Sequence, residues 1–286
     1  MQSDRHLFVE CNLAAQAILE THDLSKHFGG LKAVDGVTLR VREGALHSII
    51  GPNGAGKTTL FNLLSGNLRP TRGRVVFQGR DITRLPLYRT AHLGIGRSFQ
   101  ITNLFPNLTV LENVRLAAQA RGGDNFKLLR HYRQLRDYID RALQVIAQVG
   151  LGGKESVPAT ALPHGDKRKL ELAILLAPDP QLLLLDEPTA GMASEQVPAL
   201  MQAIEDIRGV LSPSKGRSGG KTILLVEHNM NVVMNVSDYI TVMHQGRVLA
   251  EGTPAEIAAN EAVQQAYLGQ LYDLGSHDSS GPSSAE

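Results

Sequence analysis

The stretch Ile49-Ile50-Gly51-Pro52-Asn53-Gly54-Ala55-Gly56-Lys57-Thr58-Thr59-Leu60 decides how this chain is read. It fits G-x-x-x-x-G-K-[ST], a phosphate-binding loop between a strand and a helix. The apolar run Ala45–Ile50 supplies the strand. Lys57–Leu64 supplies the helix, with Leu60, Leu63 and Leu64 at helical spacing. Gly51, Gly54 and Gly56 let the backbone turn with several N–H groups pointing inward, and those groups join the positive helix N-terminus in cradling phosphates. Pro52, Asn53, Ala55 and Thr59 complete the loop. Lys57 is spaced to reach the β- and γ-phosphates as a point charge, and the Thr58 hydroxyl to bind Mg²⁺.

A second stretch belongs with the first. Leu182–Leu185 is four apolar residues long, as in a strand buried on both faces, and it ends in Asp186-Glu187-Pro188. An acid at the C-terminal edge of a parallel sheet can hold Mg²⁺, here Asp186 through water. A second carboxylate beside it, Glu187, can orient and deprotonate an attacking water.

Around these two anchors the chain alternates strands and helices. Strands are expected at Ala17–His22 and Val37–Val41, with a turn around Phe28-Gly29-Gly30 between them. Phe28 fits either an aromatic that stacks on a base or a core residue of a small antiparallel sheet. Val75–Gln78 is a short strand and Pro86–His92 a short helix. Leu108–Ala120 reads as a helix capped by Thr109, with Glu112 three residues on. Phe126–Val149 is a long amphipathic helix whose polar face (Lys127, Arg130, Arg133, Arg136, Arg141) fits a docking surface or, more simply, a solvated face. Lys167–Leu176, Ser194–Val210 and Asn229–Val236 are further helices, and Thr222–Val226 is a further buried strand. Ser212–Gly220 reads as an exposed loop, and Tyr239–Met243 with Val248–Ala250 as a hairpin around His244-Gln245-Gly246. Short helices follow at Pro254–Ala258 and Glu261–Leu268. The expected fold is α/β: a parallel core sheet with an antiparallel β subdomain and a helical subdomain over about residues 90–165. Residues 16–272 form one domain, between a loose N-terminus (1–15) and a disordered Ser/Gly-rich tail (273–286).

Bulk composition narrows the function classes. With 42% hydrophobic and 20% charged residues the chain is ordinary for a globular protein, and a net charge of +1 gives no reason to expect nucleic acid as a partner. The 5% aromatic content and the absence of Trp speak against a base-stacking platform. One cysteine, Cys11, rules out an intrachain disulfide. Met1–Glu10 carries no signal-peptide pattern, and no apolar run approaches the ~20 residues that span a bilayer.

Further pieces follow in order: Gln100 after a strand, Leu162-Pro163-His164-Gly165-Asp166 before a helix, Gly191 and Met192 after the acid-bearing strand, and Glu227-His228 after another strand. With these the chain resembles the ATP-binding cassette (ABC) transporter ATPases, P-loop NTPases, from about residue 17 to 270. The resemblance implies that Phe28 stacks on the base, and that Gln100 senses Mg²⁺ and the γ-phosphate. It makes Leu162–Asp166 the signature loop and His228 the switch histidine. The runs Gly94-Ile95-Gly96-Arg97-Ser98-Phe99-Gln100, Leu162–Glu171 and Tyr267-Leu268-Gly269 are similar to the branched-chain amino acid importer ATPases, with urea-importer ATPases second. It follows that ATP and Mg²⁺ are expected as ligands, with membrane permease subunits and a second ABC ATPase subunit as partners and a solute-binding protein reached indirectly. The expected place is the cytoplasmic face of the plasma (inner) membrane, peripherally bound. Two departures qualify this. The family signature is Leu-Ser-Gly-Gly-Gln, and Pro163 replaces the Ser and lacks an N–H. Ala193 stands where the loop usually carries Asp. Both fit a pair of unlike ATPases, and both leave open a regulatory subunit with little turnover. A non-transport ABC ATPase is the other alternative, although such proteins usually carry two cassettes, a coiled coil or zinc modules. Leu104 and Phe105, just past Gln100, make an apolar loop that fits either a permease groove or packing inside the helical subdomain.

Overall fold

The computed structural model describes residues 16–98, 104–120, 132–209 and 220–267. Outside the described residues lie 1–15 with Cys11, Gln100 with Ile101 and Asn103, 126–131 of the long helix, 212–219, Leu268-Gly269 and the 273–286 tail.

Strands β1 (Ala17–Phe28) and β2 (Leu31–Arg42) form a hairpin around Gly29-Gly30 and pair with β4 (Arg72–Phe77) and β5 (Arg80–Asp81) in the antiparallel order β2-β1-β4-β5. The second sheet contains β3 (Leu46–Ile50), β6 (Ile95–Arg97), β7 (Leu182–Asp186), β8 (Thr222–Val226), β9 (Tyr239–His244) and β10 (Arg247–Gly252), in the order β10-β9-β3-β8-β7-β6. All its neighbours are parallel except the β9–β10 hairpin.

Every residue of β3, β7 and β8 is buried, because both faces of this sheet are covered. Leu182 and Leu184 face a layer made of α1 (Lys57–Leu64) and the antiparallel sheet. Their neighbours Leu183 and Leu185 face the opposite layer of helices: α3 (Val110–Ala120), α4 (Tyr132–Gln148), α5 (His164–Leu176) and α6 (Val197–Gly209). Each such leucine contributes about 1.5–3 kcal/mol by leaving water. Helix α2 (Leu87–Leu93) leads into β6, while α7 (Met230–Val236), α8 (Pro254–Ala258) and a helix over 261–267 close the β9 side. Thr109 accepts from the Glu112 N–H at 3.2 Å as a cap should, while the Glu112 carboxylate pairs with Arg115 instead of closing the box.

The strand expected before Gln100 is Ile95–Arg97, which pairs with Leu182–Leu184 as the edge strand of the core sheet. The helices of the insert follow it, with α3.

Inside the core sheet, His47 is almost wholly buried, with its ring edge against Tyr239 and Nε2 2.7 Å from the Thr241 hydroxyl. That hydroxyl donates its one proton to Glu251 at 2.8 Å, so His47 Nε2 carries the hydrogen of this contact. Burial, helped by the nearby Arg42 cation, lowers its pKa to about 4. The unfolded chain binds this proton below about pH 6.5 and the folded chain does not until about 4, so stability falls as pH drops through that window. Relative to pH 7, the loss at pH 5 is expected to be about 2 kcal/mol. Glu251, raised by burial, opposes it in part. Urea unfolding at both pH values should show this slope in the parent. In His47→Gln, which keeps a donor for Thr241, it should be absent or reversed. Equal slopes in the two proteins would show that His47 is not the buried group responsible.

Candidate functional site

The phosphate loop bridges β3 and α1 through positions only glycine can fill. A Cβ on Gly51 (φ +153°) would lie 2.2 Å from the Met243 carbonyl oxygen, and one on Gly56 (φ +98°) 2.3 Å from that of Ala33. Gly54 is the opposite case, with a left-handed backbone at φ +79° and open space where a Cβ would point. Asn53, Gly54 and Thr58 are exposed on that open side. Lys57 is buried, and its ammonium donates to the Gly51 carbonyl at 2.5 Å and to that of Pro52 at 2.9 Å. Burial lowers its pKa, while Glu187 and Asp186 pull it back up. The lysine is therefore held beside two carboxylates on weak neutral acceptors that an anion can replace.

Asp186 closes β7 with its carboxylate nearly sealed. Oδ2 is 3.8 Å from Arg97, and Oδ1 is buried with no hydrogen-bond partner among the described residues. Burial raises its pKa, Arg97 and Lys57 oppose that, and Glu187 adds to it. An orphaned carboxylate oxygen of this kind suits a cation arriving with the nucleotide, so the donor set of Thr58 and Asp186 fits Mg²⁺. Glu187 is half-buried and left-handed at φ +48°, a conformation costing about 1–3 kcal/mol outside glycine. Two backbone bonds hold it there: its N–H donates to the Val226 carbonyl at 2.9 Å, and its carbonyl accepts from Ala190 at 3.0 Å.

The remaining predicted residues fall in three places. Phe28 sits at the hairpin tip with 49% of its surface exposed, which excludes the core reading. His228 follows β8, with its side chain largely exposed and its N–H donating to Glu227 Oε2 at 3.2 Å. The signature run lies on the helical side, where Leu162 is buried, Pro163 and His164 are exposed, and α5 starts at His164 with no side-chain cap. Gly165 neighbours Gln196, and Asp166 pairs with Lys154. Among the described residues no hydrogen bond or ion pair joins this run to the phosphate loop of the same chain. Ala193 is exposed in the loop between β7 and α6. Leu104 and Phe105 divide: Leu104 packs on the helical core, whereas Phe105 is 57% exposed. Buried Asn113 shapes their loop by accepting from the Phe105 N–H and donating to the carbonyls of Phe105, Leu108 and Thr109. Beside Leu104 lies a groove of about 440 Å³, lined mainly by apolar residues such as Leu87, Tyr88, Ala117, Ile174 and Leu175.

Arg97, Asn113, Thr189 and Glu227 were given no role by the sequence reading. For Glu227 a signal existed: an acid directly after a fully apolar parallel strand, the pattern already used for Asp186.

Comparison with known proteins agrees with this geometry. The ABC transporter family profile matches residues 34–190, and that of the branched-chain amino acid ATP-binding cassette transporters matches residues 247–272. The high-affinity branched-chain amino acid transport ATP-binding protein LivG of Salmonella typhimurium is 40% identical, over 90% of this chain and 99% of its own length. BraF of Pseudomonas aeruginosa, of the same description, is 38% identical over the same shares. Among solved structures, an ATP-binding cassette of an ABC transporter superposes with a TM-score of 0.75 at 29% identity, covering 88% of this chain and 99% of that one. A dimeric bacterial ABC transporter cassette gives 0.68 at 26% identity, covering 82% and 98%.

Proposed function

This chain belongs to the ABC transporter family, and from that premise we propose that it is the ATP-hydrolysing subunit of an importer for branched-chain or related amino acids. The observation that carries the chemistry is buried Lys57 and Asp186 beside half-buried Glu187, beneath an open glycine loop. ATP enters with its base on Phe28 and its phosphates on the N–H groups of 51–59. Lys57 exchanges two carbonyl partners for phosphate oxygens. Thr58 and Asp186 would hold Mg²⁺, with Gln100, and the ion when bound supplies charge that neutralises the β- and γ-phosphates. Glu187 takes a proton from the water that attacks the γ-phosphorus, the bond to ADP breaks, and His228 steadies the transferred phosphoryl group.

No hydrogen bond or ion pair joins the signature run to this chain's own loop among the described residues, which supports the reading that it serves the nucleotide of a second ATPase subunit. Pro163 brings neither a hydroxyl nor an N–H to that nucleotide, which supports an unlike partner and two unequal sites. It also favours a second reading, a regulatory subunit whose turnover is low. ATPase assays of this chain alone and with its partner subunits decide between them.

Among the described residues no helix is long and apolar enough to cross a membrane. The family membership supports peripheral association through the permease, on the cytoplasmic face. The groove beside Leu104 fits a short cytoplasmic permease helix, with Phe105 at the contact. Phe105→Asp should leave folding and ATP binding intact and weaken permease capture roughly tenfold or more, as removal of an aromatic anchor does. Parental pull-down and transport would remove this loop from the permease contact.

A further inference from the structure

The register of the core sheet pairs Asp186 with Val226, so β7 and β8 leave the sheet side by side, at Glu187 and Glu227. The second of these acids is fully buried, and no Lys or Arg neutralises it at ion-pair distance among the described residues. Its two oxygens are divided between two loops. Oε1 accepts from both the N–H (3.0 Å) and the hydroxyl (2.6 Å) of Thr189, two residues past Glu187. Oε2 accepts from the His228 N–H at 3.2 Å and lies 3.9 Å from ring nitrogen Nδ1 of that histidine. Burying a carboxylate is expensive unless its lone pairs are used, and here each oxygen is committed to a different catalytic loop.

We propose that Glu227 is a positioning residue that locks the turn carrying Glu187 to the loop carrying His228. The proposal rests on the reading of Glu187 and His228 given above. Thr189 lies inside the turn closed by the Ala190 N–H on the Glu187 carbonyl, so fixing Thr189 holds Glu187 in its strained backbone conformation. The same carboxylate accepts the His228 backbone N–H, and with Nδ1 3.9 Å away it fixes the backbone from which the imidazole projects toward the γ-phosphate. The base and the switch thus move as one unit, and a shift of the histidine is felt at the base.

Glu227→Gln tests this because it preserves shape and removes acceptor capacity. One oxygen becomes an NH₂ that must face either the Thr189 donors or the His228 N–H. In the assembled transporter, Glu227→Gln should lower kcat roughly 10–100-fold, the scale of a misplaced catalytic group, with KM and the ATP dissociation constant within about twofold. Amide hydrogen exchange should quicken at Glu187, Thr189, Ala190 and His228 and stay unchanged elsewhere. Thr189→Val should give a smaller loss, Thr189→Ser should restore the parental rate, and the double variant should fall short of the product of the single losses, as for groups acting through one bridge. If Glu227→Gln does not fold, the Thr189 pair carries the test, and a Thr189→Val enzyme with parental kcat and exchange overturns the proposal. Parental turnover and exchange in Glu227→Gln, beside an inactive Glu187→Gln, overturns the bridge and leaves the site reading standing. An active Glu187→Gln overturns both.

Discussion

Replacing Glu187 by Gln is expected to leave ATP bound and to cut turnover by roughly 10²–10⁴-fold, the usual contribution of a positioned general base. The amide fits the same space and keeps both backbone bonds, to Val226 and from Ala190, that hold residue 187 left-handed. It cannot take the proton of the attacking water. Binding should survive because Lys57, Thr58 and the glycine loop are untouched. Removing a negative charge from beside Lys57 leaves that cation freer for phosphate, so the ATP dissociation constant should hold or fall. The measurement is equilibrium nucleotide binding set beside steady-state hydrolysis in the reconstituted transporter. Turnover within a few-fold of the parent would mean that another group is the base.

The parts of this site legible beforehand are those written locally. The phosphate loop is one run of residues whose glycines, lysine and threonine sit at fixed offsets, and the acid-bearing strand is four leucines and an aspartate. Neither needs knowledge of what lies opposite. The parts that escaped depend on residues far apart in the chain. Glu227 matters through Thr189, 38 positions away, and Arg97 through Asp186, across the β6–β7 pairing. Leu104 and Phe105 show the limit differently. Both are large and apolar, and a loop has no period to say which one turns inward, so their separation into a packed and an exposed residue comes only from the fold. The protein contacts of Lys57 were illegible for a related reason. The motif says that the side chain reaches phosphate, while its bonds to two carbonyls of its own loop come only from the fold.

Those contacts set the expectation for Lys57→Ala, a loss of nucleotide affinity. In the parent the ammonium is buried and positioned, and among the described residues its hydrogen-bond acceptors are two neutral carbonyls. Exchanging them for phosphate oxygens replaces ion–dipole bonds by bonds between opposite charges, and a hydrogen bond to a charged group is worth about 1.5–3 kcal/mol. Alanine forfeits that exchange, so the ATP dissociation constant should rise about 10–100-fold. A folding effect must be separated from it, because the carbonyls of Gly51 and Pro52 lose their donor as well. Thermal unfolding with and without nucleotide does this. The parent should be stabilised by ATP according to its affinity, while Lys57→Ala, whatever its own melting temperature, should show little added stabilisation at the same ATP concentration. Lys57→Arg should not restore the parent, since a planar guanidinium is too broad for a pocket framed by those two carbonyls. An unchanged dissociation constant in Lys57→Ala would mean that the loop holds phosphate through its N–H groups alone, and that the buried cation serves the two carboxylates instead.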